Sequence, residues 1–436
     1  MFAYYLQLGM RSLRKNPMLT ALMVMAIGFG VAASMTTYSV YRATSRDPIP
    51  QKSSVLFNTQ VDAFGPENLE NGEPPAALSY TDATAILRAH KAPHQAIVYP
   101  VNVSVIPDDP SRLPMRQTAY ANGADMFGMF DMPFIQGRAW TRDDDEKHAS
   151  VVVITKDLND KVFNGGQSVG KQINLDGRLF TIVGVMDNWA PQPLFFDAPN
   201  TGGFVDEGAS VYMPFNRAID LQLSTNGNNN CVKEPEQGWD GYLRSECVWL
   251  ALWTQLDTQG EVDAYRNYLN GYAAEQQRAG RWSWAPNVKV RNVTDWLDVQ
   301  KVVPKESTIS LVVSLGFLAI CLVNTIGLLL AKFMRRSQEI GVRRALGASR
   351  ATIYAQFLIE AGAVGIAGGV LGLILTGLGM LGTSLVFPSD IAHLATLDPT
   401  LILLTLLTSI AATVIAAFYP TWRAAQVQPA WQLKSN

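Results

Sequence analysis

The chain has 436 residues, 48% of them hydrophobic, and a formal net charge of −2. A balance this close to neutral gives no electrostatic case for nucleic-acid binding, and no GxxxxGK(S/T) stretch occurs in these residues, so ATP binding has no motif here. The average hides apolar ends and a polar middle, which predicts two or three domains.

Residues 1–17 carry Arg11, Arg14 and Lys15 and no acid, with Tyr4, Tyr5, Leu8 and Ser12 at helical spacing. They are predicted to form an interfacial helix with its tyrosines at headgroup depth. Asn16-Pro17 punctuates the chain, and residues 18–41 are free of charge. At 1.5 Å per residue that segment reaches ~36 Å, enough to cross ~30 Å of hydrocarbon with tilt. It is too long for the apolar part of a cleaved signal peptide, so a first span is expected. Gly28 and Gly30 would allow close helix contact.

Residues 42–305 hold 24 Lys/Arg and 32 Asp/Glu, a net of −8, and no long apolar run. They are predicted to form one large water-soluble module. Strand, helix and strand follow one another at 54–61, 79–90 and 96–106, with Ser79 or Thr81 as helix cap. The same order returns at 248–256, 261–278 and 287–293. Two βαβ-type halves, about 50–106 and 247–300, would thus bracket an insert at about 107–246 and share one sheet backed by two helices. Within the insert, 151–155 is a strand candidate leading into a helix over 156–163. Asp176-Gly177 marks a hairpin between 172–175 and 179–185, and 211–214 is another short strand.

Chemistry-bearing signals in this module are few. The run Asp143, Asp144, Asp145, Glu146 lacks the spacing and glycine of a calcium loop and reads as a solvated loop. The four histidines, His90, His94, His148 and His393, show no zinc spacing with cysteine. No nucleophile signature is present. Nothing in the residues points to catalysis or to a metal.

Three further apolar segments follow: 307–331, 353–387 and 400–419. Asn324 is a polar point expected to face another helix, and Glu360 lies near one end of its segment. Gly365 with Gly369, and Gly368 with Gly372, form two overlapping GxxxG pairs suited to close helix packing. Tyr419-Pro420 is expected to end the last span, leaving 420–436 as a tail. Residues 332–352 carry six basic residues and one acid, and 388–399 carry no Lys or Arg. The positive-inside rule then puts both termini and 332–352 in the cytoplasm, and 42–305 outside. In an oxidising compartment Cys231 and Cys247 are expected to pair, closing a loop whose chain-entropy contribution is ~3 kcal/mol. Two free thiols in a cytosolic domain are the alternative, which the topology disfavours. Cys321, in an apolar segment, reads as packing.

Within 332–352, the stretch SQEIGVRRALGA read as a helix sets Ile340, Val342 and Leu346 among Arg343, Arg344 and Glu339. Gly341 would allow a close approach and Gly347 a helix stop. Taken alone, the arginines serve equally well as markers of the cytoplasmic side. Residues 324–362, NTIGLLLAKFMRRSQEIGVRRALGASRATIYAQFLIEAG, resemble the signature of MacB-like (FtsX-type) ABC permeases. FIQGR at 134–138, VFNGGQSVGKQINLDGRLFTIVGVM at 162–186 and VYMPF at 211–215 resemble that family's periplasmic domain. Pro420, Arg423, Ala424, Ala425 and Pro429 resemble part of its closing segment, in which Thr421 and Trp422 depart from the usual pattern.

The resemblance implies an α-helical membrane protein of four transmembrane helices, with a large α+β extracytoplasmic domain inserted between helices 1 and 2. It implies a bacterial inner-membrane permease that transmits the motion of a separate ABC ATPase subunit, with ATP and Mg bound by that partner and no cofactor in this chain. The coupling role would fall on Glu339, Ile340, Gly341, Arg343, Arg344, Ala345, Leu346 and Gly347. Further partners implied are a second permease subunit, identical or related, and in efflux systems a periplasmic adaptor and outer-membrane channel. A membrane scaffold that controls cell-wall enzymes or a sensor kinase is the rival reading.

Overall fold

A computed structural model describes residues 16–107, 109, 111–205, 208–383 and 398–426. The expectations for the N-terminal helix over 1–15, the end of the third span at 384–387, most of the loop 388–399 and Pro429 lie outside these residues. The chain divides into two units, Met1–Ser45 with Val303–Asn436, and Arg46–Val302.

The first helix, α1 (Pro17–Thr44), belongs to the membrane unit and starts with proline in its first turn, where the missing N–H costs no helical bond. The second unit opens with β1 (Leu56–Val61), the short β2 (Leu78–Ser79), α2 (Tyr80–Arg88) and β3 (His94–Ile106). Ser79 caps α2 by accepting from the Asp82 amide at 3.1 Å. The insert supplies β4 (Met115–Asn122), β5 (Phe134–Gly137), β6 (Val151–Thr155), α3 (Lys156–Phe163), β7 (Gln172–Leu175), β8 (Arg178–Met186) and β9 (Val211–Pro214). The second half supplies β10 (Val248–Gln255), α4 (Gln259–Arg278), β11 (Val288–Asn292) and α5 (Val293–Val299).

All the strands join one sheet in the order β11-β1-β10-β3-β4-β9-β6-β8-β5, with β2 on β10 and β7 on β3 and β8. Each βαβ half is split by a strand of the other. β10 lies between β1 and β3, and β1 lies between β10 and β11, all antiparallel. This is the ferredoxin-like split-βαβ arrangement. The insert continues the same sheet through β3, whose 13 residues pair with β10 at one end and β4 along the other.

Alternation along the strands fills two cores, one on each face. Ile97, Tyr99, Val101, Ala119, Val152, Val211 and Leu252 join Ala83 and Ile86 of α2 and Tyr265 and Leu269 of α4. Ala96, Val98, Tyr120, Val153, Tyr212 and Trp253 face Phe130, Phe195, Phe196 and Trp296 on the other side. Covering both faces is why these strands read as nearly unbroken apolar runs.

The acidic run departs from expectation. Arg142–Glu146 is a short helix, capped reciprocally by Thr141 and Asp144. Acids in a first turn satisfy orphan N–H groups and favour the dipole, which is why the run coils instead of looping. Burial pushes the Asp145 carboxyl up to about 6, although the Asn216 amide donates to it.

The membrane unit is completed by α6 (Lys305–Met334), α7 (Ser337–Ala345), α8 (Arg350–Thr383) and α9 (Pro399–Ala425). α1, α6, α8 and α9 are each long and apolar enough to cross a membrane. The last helix does not stop at Tyr419; it runs through Pro420 to Ala425. Proline removes a single helical donor, and neighbouring helices can accommodate that loss in a membrane.

Candidate functional site

The charged segment between α6 and α8 folds as α7, a helix joined to both neighbours by tight turns. Gly347 has φ +96°, a backbone state that favours glycine, and it turns the chain back toward α8. Ser349 then caps α8, accepting from the Thr352 amide at 3.1 Å.

One face of α7 is fixed to the ends of its neighbours. Ile340 is 3% exposed and packs in one core with Phe333 of α6 and Ile353 and Phe357 of α8. The rings of Phe333 and Phe357 stand 4.3 Å apart. Beside this core runs a chain of charges. Lys332 Nζ lies 2.6 Å from Glu360 Oε1, an ion-pair contact instead of an aligned hydrogen bond. Arg336 Nη1 donates to Glu360 Oε2 at 3.0 Å, while its Nε and Nη2 donate to Glu339 at 3.1 and 3.2 Å. Arg343 Nη2 donates to Glu339 at 2.6 Å and its Nη1 to Gln356 at 3.0 Å. Burial opposes the charge on Arg336, but its bonds to Glu339 and Glu360 outweigh that and raise its proton affinity.

The segment's predicted residues therefore separate into two groups. Glu339, Ile340, Gly341 and Arg343 face inward or bind neighbouring side chains, and Arg344 is half-exposed. Ala345, Leu346 and Gly347 are exposed, with Leu346 at 83%. Ile340, one of the residues to which the resemblance gives the coupling role, is consumed in the intramolecular core and offers no surface to an outside partner. Val342, 52% exposed and one helical turn before Leu346, takes that place. The Lys332–Glu360–Arg336 cluster was missed. Its signal was present, because an acid inside an apolar segment needs a basic partner, and Lys332, Arg335 and Arg336 follow the neighbouring apolar segment directly.

The other predicted positions are also placed. Cys231 and Cys247 form a disulfide. Gly365 and Gly369 face α9: a Cβ at Gly365 would lie 2.9 Å from the Ile410 Cα, and one at Gly369 would lie 3.1 Å from Leu406. Gly368 and Gly372 face α1, where the corresponding distances are 2.8 Å to Ile27 and 3.4 Å to Val31. Among the described residues no group of three or more His, Cys, Asp or Glu is placed to hold a metal.

A family model described as the MacB-like periplasmic core domain matches residues 20–271, more than half of the chain. A second, the FtsX-like permease C-terminal, matches residues 311–429 and includes α7. This chain is a MacB-like permease. As a MacB-like permease it is a multi-pass inner-membrane protein with a periplasmic domain between its first two spans.

Among the relatives, the macrolide export ATP-binding/permease protein MacB of Azoarcus sp. (strain BH72) is 23% identical over 430 residues, covering 98% of this chain and 59% of that protein. Its Escherichia coli (strain K12) counterpart is 23% identical over 429 residues, with 97% and 59% covered. The Chromobacterium violaceum counterpart is 25% identical over 312 residues, with 70% and 42% covered. The chain thus spans less than two thirds of the length of these relatives. Among solved structures, the periplasmic region of MacB from Actinobacillus actinomycetemcomitans superposes with a TM-score of 0.36 at 13% identity, covering 58% of this chain and 95% of that one. The extracellular domain of the noncanonic ABC-type transporter YknZ gives 0.34 at 13% identity, covering 54% and 99%.

Proposed function

We propose that this permease transmits the motion of a separate ABC ATPase, docked on α7, to its periplasmic domain, where the motion drives efflux or substrate transfer. The observation that carries this reading is the two-sided character of α7. One side is fixed to the ends of α6 and α8 by Ile340 and the Lys332–Glu360–Arg336–Glu339–Arg343 chain. The other presents Val342, Ala345 and Leu346 to solvent, an apolar strip at helical spacing. Such a strip suits a partner's groove, as in helix-in-groove recognition, and a helix fixed to two spans would carry a push to both.

In this reading ATP and Mg are bound by the ATPase. A second permease subunit completes the membrane path, since four helices enclose little space alone. Asn324, exposed on α6, is a polar point for which that subunit would supply a partner. A periplasmic adaptor and outer-membrane channel would complete an efflux route. The test is the double change Val342→Asp, Leu346→Asp, which leaves Ile340 and the charge network in place. Copurification of the ATPase and its permease-stimulated ATP turnover are expected to fall about tenfold or more, because truncating interface anchors typically costs 2 kcal/mol or more. Unchanged copurification and turnover would overturn the coupling role.

A further inference from the structure

A groove in the periplasmic domain has no part in the coupling reading. It begins as an open cleft of about 480 Å³ and continues into a chamber of about 260 Å³. Phe64, Pro75, Ala76, Asn230 and Gln300 line both parts, so the two are continuous. The cleft is rimmed by Glu70, Glu73 and Asp298 against a single Lys301, and Glu73 also pairs with Arg291. The chamber is walled by Val98, Phe196, Val248, Trp249 and Ala251. Asp197 also lines it and is 4% exposed. One Asp197 oxygen accepts from the Tyr120 hydroxyl at 2.6 Å and the other from Asn200 at 2.5 Å. Each oxygen therefore keeps a lone pair for a further donor.

The chamber wall is fastened by the disulfide. Asn230 and Val248 exchange backbone bonds of 3.2 and 2.9 Å, and the Cys231–Cys247 bond lies immediately beyond that pair. Asn228, which also lines the chamber, donates its amide to Asn200 at 2.6 Å. The disulfide thus holds the Asn228–Asn230 wall against Val248 and Trp249.

We propose that this groove binds an amphipathic organic amine, its apolar body in the chamber and its ammonium toward Asp197 and the acidic rim. The sign of the charge follows from Glu70 and Asp298, which outnumber Lys301 at the rim once Glu73 is paired with Arg291, and from Asp197, the one charged residue among the described residues that line the chamber. The apolar body follows from a small pocket lined mainly by hydrophobic side chains with a few convergent polar groups. An apolar wall alone would accept a neutral ligand equally well, so the charge is the discriminating feature.

The test is calorimetric titration of the full chain in nanodiscs with 1-naphthylmethylamine and with 1-naphthylmethanol, which has the same shape and no charge. The amine is expected to bind saturably and the alcohol about tenfold more weakly, the difference a charge-assisted hydrogen bond supplies. Ala76→Trp, at a position shared by both parts of the groove, should abolish binding of both. Glu70→Gln with Asp298→Asn, both on exposed side chains, should weaken the amine about threefold, as two screened charges would, and leave the alcohol unchanged. Cys231→Ser should weaken both ligands by releasing the wall. No saturable amine binding, equal affinities for amine and alcohol, or a rim variant that binds the amine like the parent would each overturn the proposal, the last without depending on how Ala76→Trp folds.

Discussion

The periplasmic domain and the membrane unit fill their interiors with different side chains. The largest fully buried side chains include Trp253, Trp296, Tyr99, Tyr212, Phe130 and Phe196 of the domain, while the membrane unit contributes Lys332 and Phe333. Its helices approach through glycine and hydroxyl groups. Gly365 and Gly368 face the neighbouring helices, Ser409 Oγ donates to the Gly365 carbonyl at 2.7 Å, and Ser34 Oγ donates to the Ser314 carbonyl at 3.1 Å. The difference follows from the solvent. In water, aromatic area removed from solvent drives folding. In lipid, burying more apolar area gains little, so close contact and interhelical hydrogen bonds hold helices together.

Both units also bury an acid among basic partners, and the largest predicted effect separates them. Glu360→Gln removes the acid from Lys332 and Arg336, and Lys332 is only 1% exposed. Leaving one charge of a buried pair uncompensated costs ~3–5 kcal/mol. The matching change in the domain, Asp82→Asn, leaves Arg281 with Glu246 at 2.7 Å and partly open to solvent. Thermal unfolding in detergent is expected to show a clearly larger loss for Glu360→Gln, and equal losses would contradict the contrast.

A second comparison is in pH. Burial raises the Asp197 carboxyl to about 6, against donors that pull it down. The folded state then holds a proton that the unfolded chain has released above its ordinary value near 4, so stability falls as pH rises from about 4 through 6 and is level beyond. The span of about two units corresponds to roughly 3 kcal/mol. Hydrogen exchange of β4 and β9 amides in the full chain should follow this slope, to which Asp145, also raised to about 6, adds a like share, and Asp197→Asn should make it clearly shallower. A parent protein with no slope between those values would refute the assignment.

The smallest predicted effect tests close packing itself. Gly365→Ala would bring a Cβ to 2.9 Å from backbone, where Gly372→Ala meets Val31 at an ordinary 3.4 Å. Overpacking costs ~1–3 kcal/mol, so the first change should lower the melting point and the second should leave it nearly unchanged. Equal shifts would show that Gly365 and Gly372 do not differ as their surroundings indicate.

Local pattern by itself determined much of this protein. Uncharged runs of span length set the four long helices, apolar runs between turn residues set most strands, and Asp176-Gly177 set its hairpin, because each depends on neighbours along the chain. The motif between the second and third spans was equally legible. Only the tertiary structure decided which residues of that motif face inward, since Ile340 and Val342 are both apolar and only packing against Phe333, Ile353 and Phe357 distinguishes them. It also decided that β1 and β10 interleave the two βαβ halves, that the insert extends their sheet, and that Lys332, Arg336 and Glu360 share one cluster. These are contacts between residues far apart in sequence, and periodicity carries no record of them.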